Sequence, residues 1–304
     1  MKPSKLIWMD GDLVPWDEAR VHVLSHALHY GTGVFEGIRA YPTSKGPAVF
    51  RLTEHMERLQ ASATAYGIPL DASTEGLVKV AKEVIAANEL DEGYIRPLTH
   101  LGLGSIGLDP SHAETHLVVA AWEWGAYLGE EGLRNGITTR VSSWRRIDSA
   151  SLIPNAKGTG GYLNAVVAKA EAMRAGADEA IMLNAAGAVA EGSGENLFLV
   201  HEGEVLTPPT SDGILDGITR RTVMRLLEDA GHRVVERSLA RSDLYQADEA
   251  FFCGTAAEVT PIREVDHRQV GEGEPGPVTR TAQDLYARTV RGEIDDYLDW
   301  LEWV

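Results

Sequence analysis

Residues 153–162 of the chain read IPNAKGTGGY, and they place Lys157 among small residues directly before a predicted helix at residues 161–175. A lysine in such surroundings has few groups to pair with. Its amine can therefore lose water and become nucleophilic, as a Schiff base with a carbonyl compound requires. A surface lysine in a glycine-rich turn is the alternative interpretation, because lysines are mostly exposed. The stretch alone leaves both interpretations open.

Two other glycine-rich segments contain groups that could bind a small charged ligand. Glu191 begins the segment EGSGENLF at residues 191–198, where the glycines let another molecule approach the backbone closely. Its carboxylate could hold a protonated ring nitrogen, although a polar hairpin turn has the same pattern. Residues 254–260, GTAAEVT, follow a predicted buried strand, and their amides and the Thr255 hydroxyl could bind an anion.

The best-marked helix is predicted at residues 217–230. Asp216 precedes it as the expected N-cap, and Gly231 follows it as a C-terminal glycine. The N–H groups and the dipole at such an N-terminus favour an anion, although most helix starts bind no ligand.

The order of the predicted elements is mixed, which is typical of an α+β fold. A hairpin is expected around Asp10 and Gly11, because Asp-Gly supplies the positive φ angles of a tight turn. Thr53 is the expected N-cap of a helix at residues 54–66. The apolar face of this helix is predicted to contain Leu52, Met56, Leu59 and Ala63. Further helices are expected at residues 75–88 and 278–301, and strands at residues 48–52, 93–96, 117–122, 137–143, 179–183, 196–200 and 250–253.

Composition limits the classes of partner. The net charge of −17 over 304 residues repels nucleic acid and anionic lipid. A single cysteine, Cys253, excludes an intramolecular disulfide and a multi-cysteine metal site. The apolar stretches are too short to span a bilayer, and Asp10 and Asp12 stand where a signal peptide would be apolar. We therefore expect a cytoplasmic protein without nucleic-acid or membrane partners.

Two motifs carry weaker signals. Residues 102–107, GLGSIG, match a dinucleotide pattern, but the following Leu-Asp-Pro opposes the helix that this pattern needs, so a turn is expected. His22, His26 and His29 have a spacing that could place them on one helix face to bind zinc. No carboxylate or cysteine flanks them, so ordinary hydrogen-bonded or exposed histidines are predicted, with no metal.

Several blocks, in order along nearly the whole chain, carry a family resemblance. Besides the Glu191 segment they are SHALHYGTGVFEGIR at residues 25–39, YIRPL at 94–98, AWEWGAYLG at 121–129, GITR at 217–220 and GTAAE at 254–258. The chain resembles bacterial-type branched-chain amino acid aminotransferases, which are fold-type IV pyridoxal-phosphate enzymes. The resemblance implies an α+β enzyme of two domains.

The expected domains are a small α/β domain at residues 1–124 and a large cofactor-binding domain with a β-barrel-like core at residues 137–304. Residues 125–136, rich in Gly and Glu, are interpreted as the linker between them.

The resemblance also implies the residues that bind the cofactor, pyridoxal 5′-phosphate. Lys157 is expected to hold it covalently and to move a proton during catalysis. Glu191 is expected to pair with the ring nitrogen, and Tyr162 with the 3′-oxygen. The remaining residues, expected to bind the phosphate, are Arg58, Ile218, Thr219 and Thr255.

Substrate contacts follow from the same resemblance. Tyr94 and the amides of Thr255 and Ala256 are expected to bind the α-carboxylate, and Arg96 the distal carboxylate of glutamate or 2-oxoglutarate. The apolar side-chain pocket is expected to include Tyr30, Phe35, Trp124 and Tyr127. Ile106 and Leu108 match a loop that reaches a neighbouring subunit's pocket in the family, so a homodimer or a higher oligomer, such as a hexamer assembled from dimers, is expected.

The implied reaction is ping-pong transamination between branched-chain L-amino acids (leucine, isoleucine and valine) and 2-oxoglutarate. One departure concerns Gly161, which stands where the family usually has Asn. The alternatives are a D-amino acid aminotransferase or an aminodeoxychorismate lyase of the same fold, and a non-catalytic binding protein. The Arg-x-His pair expected of a D-specific enzyme is absent from residues 106–108, and a binding protein would be expected to lose Lys157 or Glu191.

Overall fold

The computed structural model describes residues 2–125 and 127–304. Met1 and Ala126, the latter within the predicted linker, lie outside the described residues. The α-helices are α1 (His26–Tyr30), α2 (Leu52–Ala65), α3 (Thr74–Ala87), α4 (Glu130–Asn135), α5 (Tyr162–Arg174), α6 (Ile218–Asp229), α7 (Arg241–Gln246) and α8 (Pro277–Val290). The strands are β1 (Leu6–Met9), β2 (Asp12–Pro15), β3 (Gly33–Phe35), β4 (Ile38–Thr43), β5 (Gly46–Phe50), β6 (Gly93–Leu101), β7 (Thr115–Trp122), β8 (Ile137–Arg145), β9 (Glu179–Leu183), β10 (Val189–Gly192), β11 (Asn196–His201), β12 (Glu204–Thr207), β13 (Arg233–Glu236), β14 (Glu249–Gly254), β15 (Glu258–Val265), β16 (Arg268–Gln269) and β17 (Leu301–Trp303).

The chain forms two compact units. Unit 1 comprises Met1–Trp124, Ala156–Gly161 and Thr289–Val304; unit 2 comprises Gly125–Asn155 and Tyr162–Arg288. Residues 156–161 and 289–304 lie within the predicted C-terminal domain. They group with unit 1 because Gly158 bridges to Val34 and because β17 pairs with β5. The domain division at residues 1–124 and 137–304 stays a prediction.

Unit 1 is built on an antiparallel sheet with the strand order β17-β5-β4-β6-β7-β1-β2, in which β3 also pairs with β6. Helices α2 and α3 pack on each other, and α3 contacts β1, β6 and β7. The predicted apolar face of α2 is confirmed, since Leu52, Met56, Leu59 and Ala63 are all buried in one core.

Unit 2 is built on a mixed sheet with the order β10-β9-β8-β15-β14-β11-β12-β13, with β16 beside β15. The pairs β8–β9, β8–β15 and β12–β13 are parallel, and the others among the described strands are antiparallel. Its core includes Phe198 and Phe251, whose rings stack with centroids 5.0 Å apart. The α+β class predicted from the sequence is confirmed.

The predicted hairpin at the N-terminus is confirmed. Strands β1 and β2 pair in register, and both turn residues have positive φ, 51° at Asp10 and 113° at Gly11. Both predicted N-caps are wrong. Arg51 occupies the N-cap position of α2 without a side-chain capping bond, and Thr53 lies within the first turn. Gly217 caps α6, while Asp216 forms an ion pair with Arg221.

Residues 130–135, predicted as part of a linker, form the short helix α4. Among the described residues no helix is both long enough and apolar enough to cross a membrane.

Candidate active site

Lys157 lies in a turn of unit 1 that is attached to β3 and α2. Its carbonyl accepts a hydrogen bond from the Phe35 N–H at 3.1 Å, and its own N–H donates to Oγ of Ser62 at 3.1 Å. The Lys157 ammonium lies 5.2 Å from the centre of the Phe35 ring. The next residue, Gly158, faces the Tyr66 ring, and a Cβ added at Gly158 would lie 2.7 Å from a ring carbon. The backbone of the lysine is therefore fixed on both sides, and its side chain extends over an aromatic face.

The same turn is held against the end of α1. The carbonyl of Gly31 accepts hydrogen bonds from the Thr159 hydroxyl at 2.8 Å and from the Gly160 N–H at 3.1 Å. Gly31 has a left-handed φ of 66°, and a Cβ there would lie 2.6 Å from Cα of Gly160. Two glycines thus let the backbones approach closely enough to bond.

Arg58, a predicted phosphate ligand, is oriented by a buried carboxylate. The Arg58 Nε and a terminal nitrogen donate to the two oxygens of Glu36 at 2.6 and 2.9 Å, and Nδ1 of His55 lies 2.7 Å from the second oxygen. Burial raises the pKa of Glu36, but Arg58 and His55 outweigh this and hold the pKa well below its usual range. Burial, with smaller effects of Arg58 and Lys157, lowers the pKa of His55 despite the nearby carboxylate.

Tyr94 and Arg96 lie on one face of β6, because alternate residues of a strand point the same way. The guanidinium carbon of Arg96 is 4.6 Å from the ring centre of Phe35, 5.3 Å from that of Tyr94 and 6.0 Å from that of Trp122. A terminal nitrogen of Arg96 donates to the Tyr94 hydroxyl at 3.3 Å. The cation thus lies within 6.0 Å of the centres of three aromatic rings, a setting that offers cation–π attraction.

Arg96 has an unmet donor in this aromatic surrounding. Its Nε is buried and has no hydrogen-bond partner among the described residues. A buried donor without an acceptor costs free energy, so an anion in this position would be stabilised. The Trp124 ring packs edge-on against the Tyr94 ring, with ring centres 4.5 Å apart. Gly37 leaves room for the Tyr94 hydroxyl, because a Cβ at position 37 would lie 1.9 Å from the hydroxyl oxygen.

Two adjacent residues of the loop between β6 and β7 contact side chains of α1 through their carbonyl groups. The Tyr30 hydroxyl donates to the Ile106 carbonyl, and Nε2 of His26 lies against the Gly107 carbonyl, both at 2.9 Å. The apolar side chains of Ile106 and Leu108 are exposed, at 71% and 82%. The turn predicted at residues 102–107 lies outside any helix.

Of the three spaced histidines, only His26 and His29 lie in α1, where His29 contacts the Val23 carbonyl. Within the described part of the chain, no group of three or more His, Cys, Asp or Glu side chains is arranged to hold a metal ion.

Glu191 lies at the buried end of β10 in unit 2. One of its oxygens accepts from Nε of Arg146 at 2.6 Å. The other accepts from the Asn196 side-chain amide and from the Leu215 N–H, both at 3.1 Å. Donors to both oxygens, one of them a cation, favour the ionised form of a carboxyl group.

Asn196 connects Glu191 to the start of α6. Its amide also donates to the Leu215 carbonyl at 2.9 Å. A Cβ added at Gly217 would lie only 1.9 Å from the side-chain oxygen of Asn196. Only glycine at position 217 therefore leaves room for the Asn196 side chain. Helix α6 begins directly after Gly217 with the buried residues Ile218 and Thr219. The first-turn N–H groups of a helix have no acceptor within the helix and lie at its positive end.

The glycine-rich segment at residues 191–198 contains a second glutamate, Glu195, whose carboxyl group differs from that of Glu191. Glu195 is buried, and burial together with the neighbouring Glu179 raises its pKa well above the usual range. Glu179 itself pairs with Lys169 at 2.5 Å. Glu195 is thus favoured in its neutral form, while Glu191 has charged and polar donors around it.

The remaining predicted site residues lie in unit 2. Tyr162 begins α5, and Thr255 and Ala256 form the turn between β14 and β15. The turn is close to the Glu191 segment, because Asn196 pairs with Cys253 across β11 and β14. Tyr127 is exposed, and the Lys169 ammonium lies 5.6 Å from its ring centre.

The sequence motifs do not predict four residues that support the site, namely Glu36, His55, Arg146 and Asn196. Glu36 and Asn196 lie within the blocks that carry the resemblance but were assigned no role. Arg146 lies outside every block, and charge alone does not separate it from its neighbour Arg145. Only the contacts in the folded chain identify these four residues as supports of the site.

The chain is similar to proteins of one family throughout its length. The sequence profile of "Amino-transferase class IV" matches residues 33–265. A branched-chain-amino-acid aminotransferase of Pseudomonas aeruginosa is 46% identical over 295 residues, covering 97% of this chain and 96% of the relative.

Two crystal structures of branched-chain amino acid aminotransferases have the same fold. That of the Escherichia coli protein has a TM-score of 0.96 at 46% identity, covering 98% of this chain and 99% of the other. That of a T.th. protein complexed with N-(5′-phosphopyridoxyl)-L-glutamate has a TM-score of 0.95 at 46% identity, covering 99% and 98%. The predicted resemblance is confirmed, and the chain belongs to the class IV aminotransferases.

Proposed function

We propose that this protein transfers amino groups between the branched-chain L-amino acids and 2-oxoglutarate by a ping-pong reaction. The observation that carries the proposal is Arg96, a cation with an unmet buried donor among the rings of Phe35, Tyr94 and Trp122. Apolar rings suit a branched side chain, and the guanidinium suits a distal carboxylate. One site can therefore accept leucine and glutamate in turn.

The side chains fit pyridoxal 5′-phosphate, the cofactor of class IV aminotransferases. Lys157 extends over an aromatic face, and Glu191 is a buried carboxylate whose donors favour its ionised form. When bound, the cofactor supplies an electron sink and carries the amino group between half-reactions. The proposed ligands are Lys157, Glu191, Tyr162, Arg58, Ile218, Thr219 and Thr255.

Each proposed role follows from the chemistry of the side chain. Lys157 anchors the cofactor and moves a proton at the substrate Cα, a general acid–base role that a lysine amine can perform. Glu191 holds the proton of the ring nitrogen in place. Arg58, oriented by Glu36, binds phosphate. Ile218 and Thr219 contribute N–H groups at the start of α6.

Substrate roles are proposed in the same way. Tyr94, Thr255 and Ala256 bind the α-carboxylate. Arg96 binds the distal carboxylate. The side-chain pocket and the lip contributed to a neighbouring subunit include Tyr30, Phe35, Trp124, Tyr127, Ile106 and Leu108.

A donor panel tests the reaction. With 2-oxoglutarate as acceptor, L-leucine, L-isoleucine and L-valine should give glutamate, and D-alanine should not. Activity with D-alanine alone would contradict the proposal and favour a D-specific enzyme. No activity with any donor in a protein that stays colourless with added cofactor would favour a binding protein.

Lys157→Ala tests the role of the lysine. The variant should lose transamination, and borohydride should no longer fix the cofactor to the protein. In the parent protein, peptide mass mapping after borohydride should find the phosphopyridoxyl group on Lys157. Substantial turnover by the variant would refute the assignment.

We also propose a homodimer or a higher oligomer in the cytoplasm. Leu163, Val166 and Met173 are exposed on one side of α5, and monomers rarely expose such apolar groups together. Light scattering after size exclusion should give a mass of at least twice 33.0 kDa. A monomeric mass would contradict this part of the proposal.

A further inference from the structure

Arg146 forms an ion pair with Glu191, and it directly follows β8 at a position that sequence motifs do not mark. Its Nε contacts one carboxylate oxygen at 2.6 Å, and both side chains are largely buried, with 15% and 7% of their surface exposed. Asn196 and the Leu215 N–H donate to the other oxygen. Neutral donors hold one side of the carboxylate, and a cation holds the other.

This arrangement has an electrostatic consequence. A neighbouring cation stabilises an ionised carboxyl group by an amount that corresponds to about one to three pH units of titration, and the effect is larger where water is excluded. The two neutral donors orient the carboxylate but add no charge. The nearby carboxyl group of Glu195, whose pKa is raised by burial, is favoured in its neutral form and so adds little negative charge at acidic pH. Arg146 is therefore a cation in direct contact with Glu191, and it favours the ionised form of this carboxyl group.

We infer that Arg146 is a positioning residue that keeps Glu191 ionised, and that it thereby lets the protein retain a cofactor with a protonated ring nitrogen under mildly acidic conditions. The inference rests on the proposed function, because it needs the role proposed for Glu191. Arg146 acts through Glu191 and is not itself assigned a contact with the cofactor.

The direction of the effect follows from the charges. Above the pH at which Glu191 titrates, its carboxylate attracts the protonated ring with or without Arg146. As the pH falls, Glu191 becomes neutral and this attraction is lost. Without Arg146 the loss begins at higher pH, so the change should appear on the acidic side only.

Cofactor retention by the holoenzyme measures this directly. Parent protein, Arg146→Met and the control Arg145→Met are each diluted at a series of pH values from about 4 to about 9, a range that begins near the ordinary pKa of a glutamate carboxyl group. Released pyridoxal phosphate is then measured by absorbance after ultrafiltration. Arg145 is the matched control, because it is the adjacent arginine and is exposed.

For Arg146→Met, the pH of half-release should rise by about one unit or more, while retention at the alkaline end stays close to that of the parent. Arg145→Met should follow the parent throughout. An unchanged curve for Arg146→Met would overturn the inference. So would an equal loss at every pH, since that indicates a general structural defect.

A double-mutant cycle separates an effect through Glu191 from any other effect of Arg146. In a Glu191→Gln background there is no carboxylate to keep ionised, so adding Arg146→Met should cause no further shift in the half-release pH. A shift of the same size in both backgrounds would show that Arg146 acts elsewhere. If the parent protein itself binds no pyridoxal phosphate, it is the proposed function that fails.

Discussion

The carboxylate of Glu36 is fully buried between Arg58 and His55, although the sequence block that contains it does not mark it as a buried charge. A buried ion pair of this kind orients a side chain more than it stabilises a fold, because both ions lose their hydration. Removing one partner is different, since the other charge is then left without compensation.

Glu36→Gln should lower the free energy of unfolding by about 3 kcal/mol, as expected for breaking a buried pair. Because the folded-state pKa of Glu36 is lowered, its contribution is fully present above the ordinary carboxyl pKa of 4.5 and is lost as the pH falls towards the lowered value. Urea unfolding of both proteins in steps from neutral to acidic pH measures this.

Glu89→Gln is the control for that experiment. Glu89 pairs with Lys5 at the surface, where solvent screens the pair, so little change in stability is expected. Equal effects of the two substitutions would contradict the buried pair at Glu36.

Arg96→Met should impair the acidic substrate selectively. Losing a charge-assisted hydrogen bond of about 1.5–3 kcal/mol corresponds to about a 10- to 150-fold fall in kcat/KM for 2-oxoglutarate. A branched 2-oxo acid lacks the distal carboxylate and serves as the internal control, for which the fall should be much smaller. Equal losses with both acceptors would argue against the role proposed for Arg96.

Among the elements, the contact between α1 and the lysine turn depends on a close backbone approach. Gly31→Ala would place a Cβ 2.6 Å from Cα of Gly160, in addition to the strain of a left-handed φ of 66°. The turn would have to move, and Lys157 with it. We expect a loss of roughly 2–4 kcal/mol in unfolding free energy, combining left-handed strain with overpacking, together with weaker cofactor retention.

Gly67→Ala is a close control for Gly31→Ala. Gly67 follows α2 with a φ of 65°, but a Cβ there would meet nothing within 4 Å. Its substitution should therefore cost about 1–2 kcal/mol, the backbone strain alone, and leave cofactor retention unchanged. If the two variants behave alike in urea unfolding and in retention, steric contact at Gly31 is not important.

At the scale of the whole molecule, the single thiol reports on the integrity of unit 2. Cys253 is fully buried in β14, and burial raises its pKa far above the usual range. A thiol reagent at mildly alkaline pH should therefore modify the native protein far more slowly than the protein in denaturant, where one thiol per chain should react. Fast modification of the native protein would contradict this burial.

Strong local patterns predicted much of the fold. The Asp10-Gly11 hairpin and the apolar face of α2 depend on neighbours in sequence, so local rules suffice for them. The N-caps were predicted less well. Thr53 and Asp216 are good cap residues by type, but Arg51 and Gly217 occupy the N-cap positions, and no side-chain hydrogen bond caps either helix.

The sequence by itself determined the family, the α+β class and the identity of Lys157 and Glu191 as candidates, because these depend on residue type and order along the chain. Only the tertiary structure decided that Lys157 belongs to unit 1, and that Arg146 and Asn196 hold Glu191. The physical reason is distance along the chain. Hydrogen bonds and charges act between residues that folding brings together, and a single sequence does not record which distant residues those are.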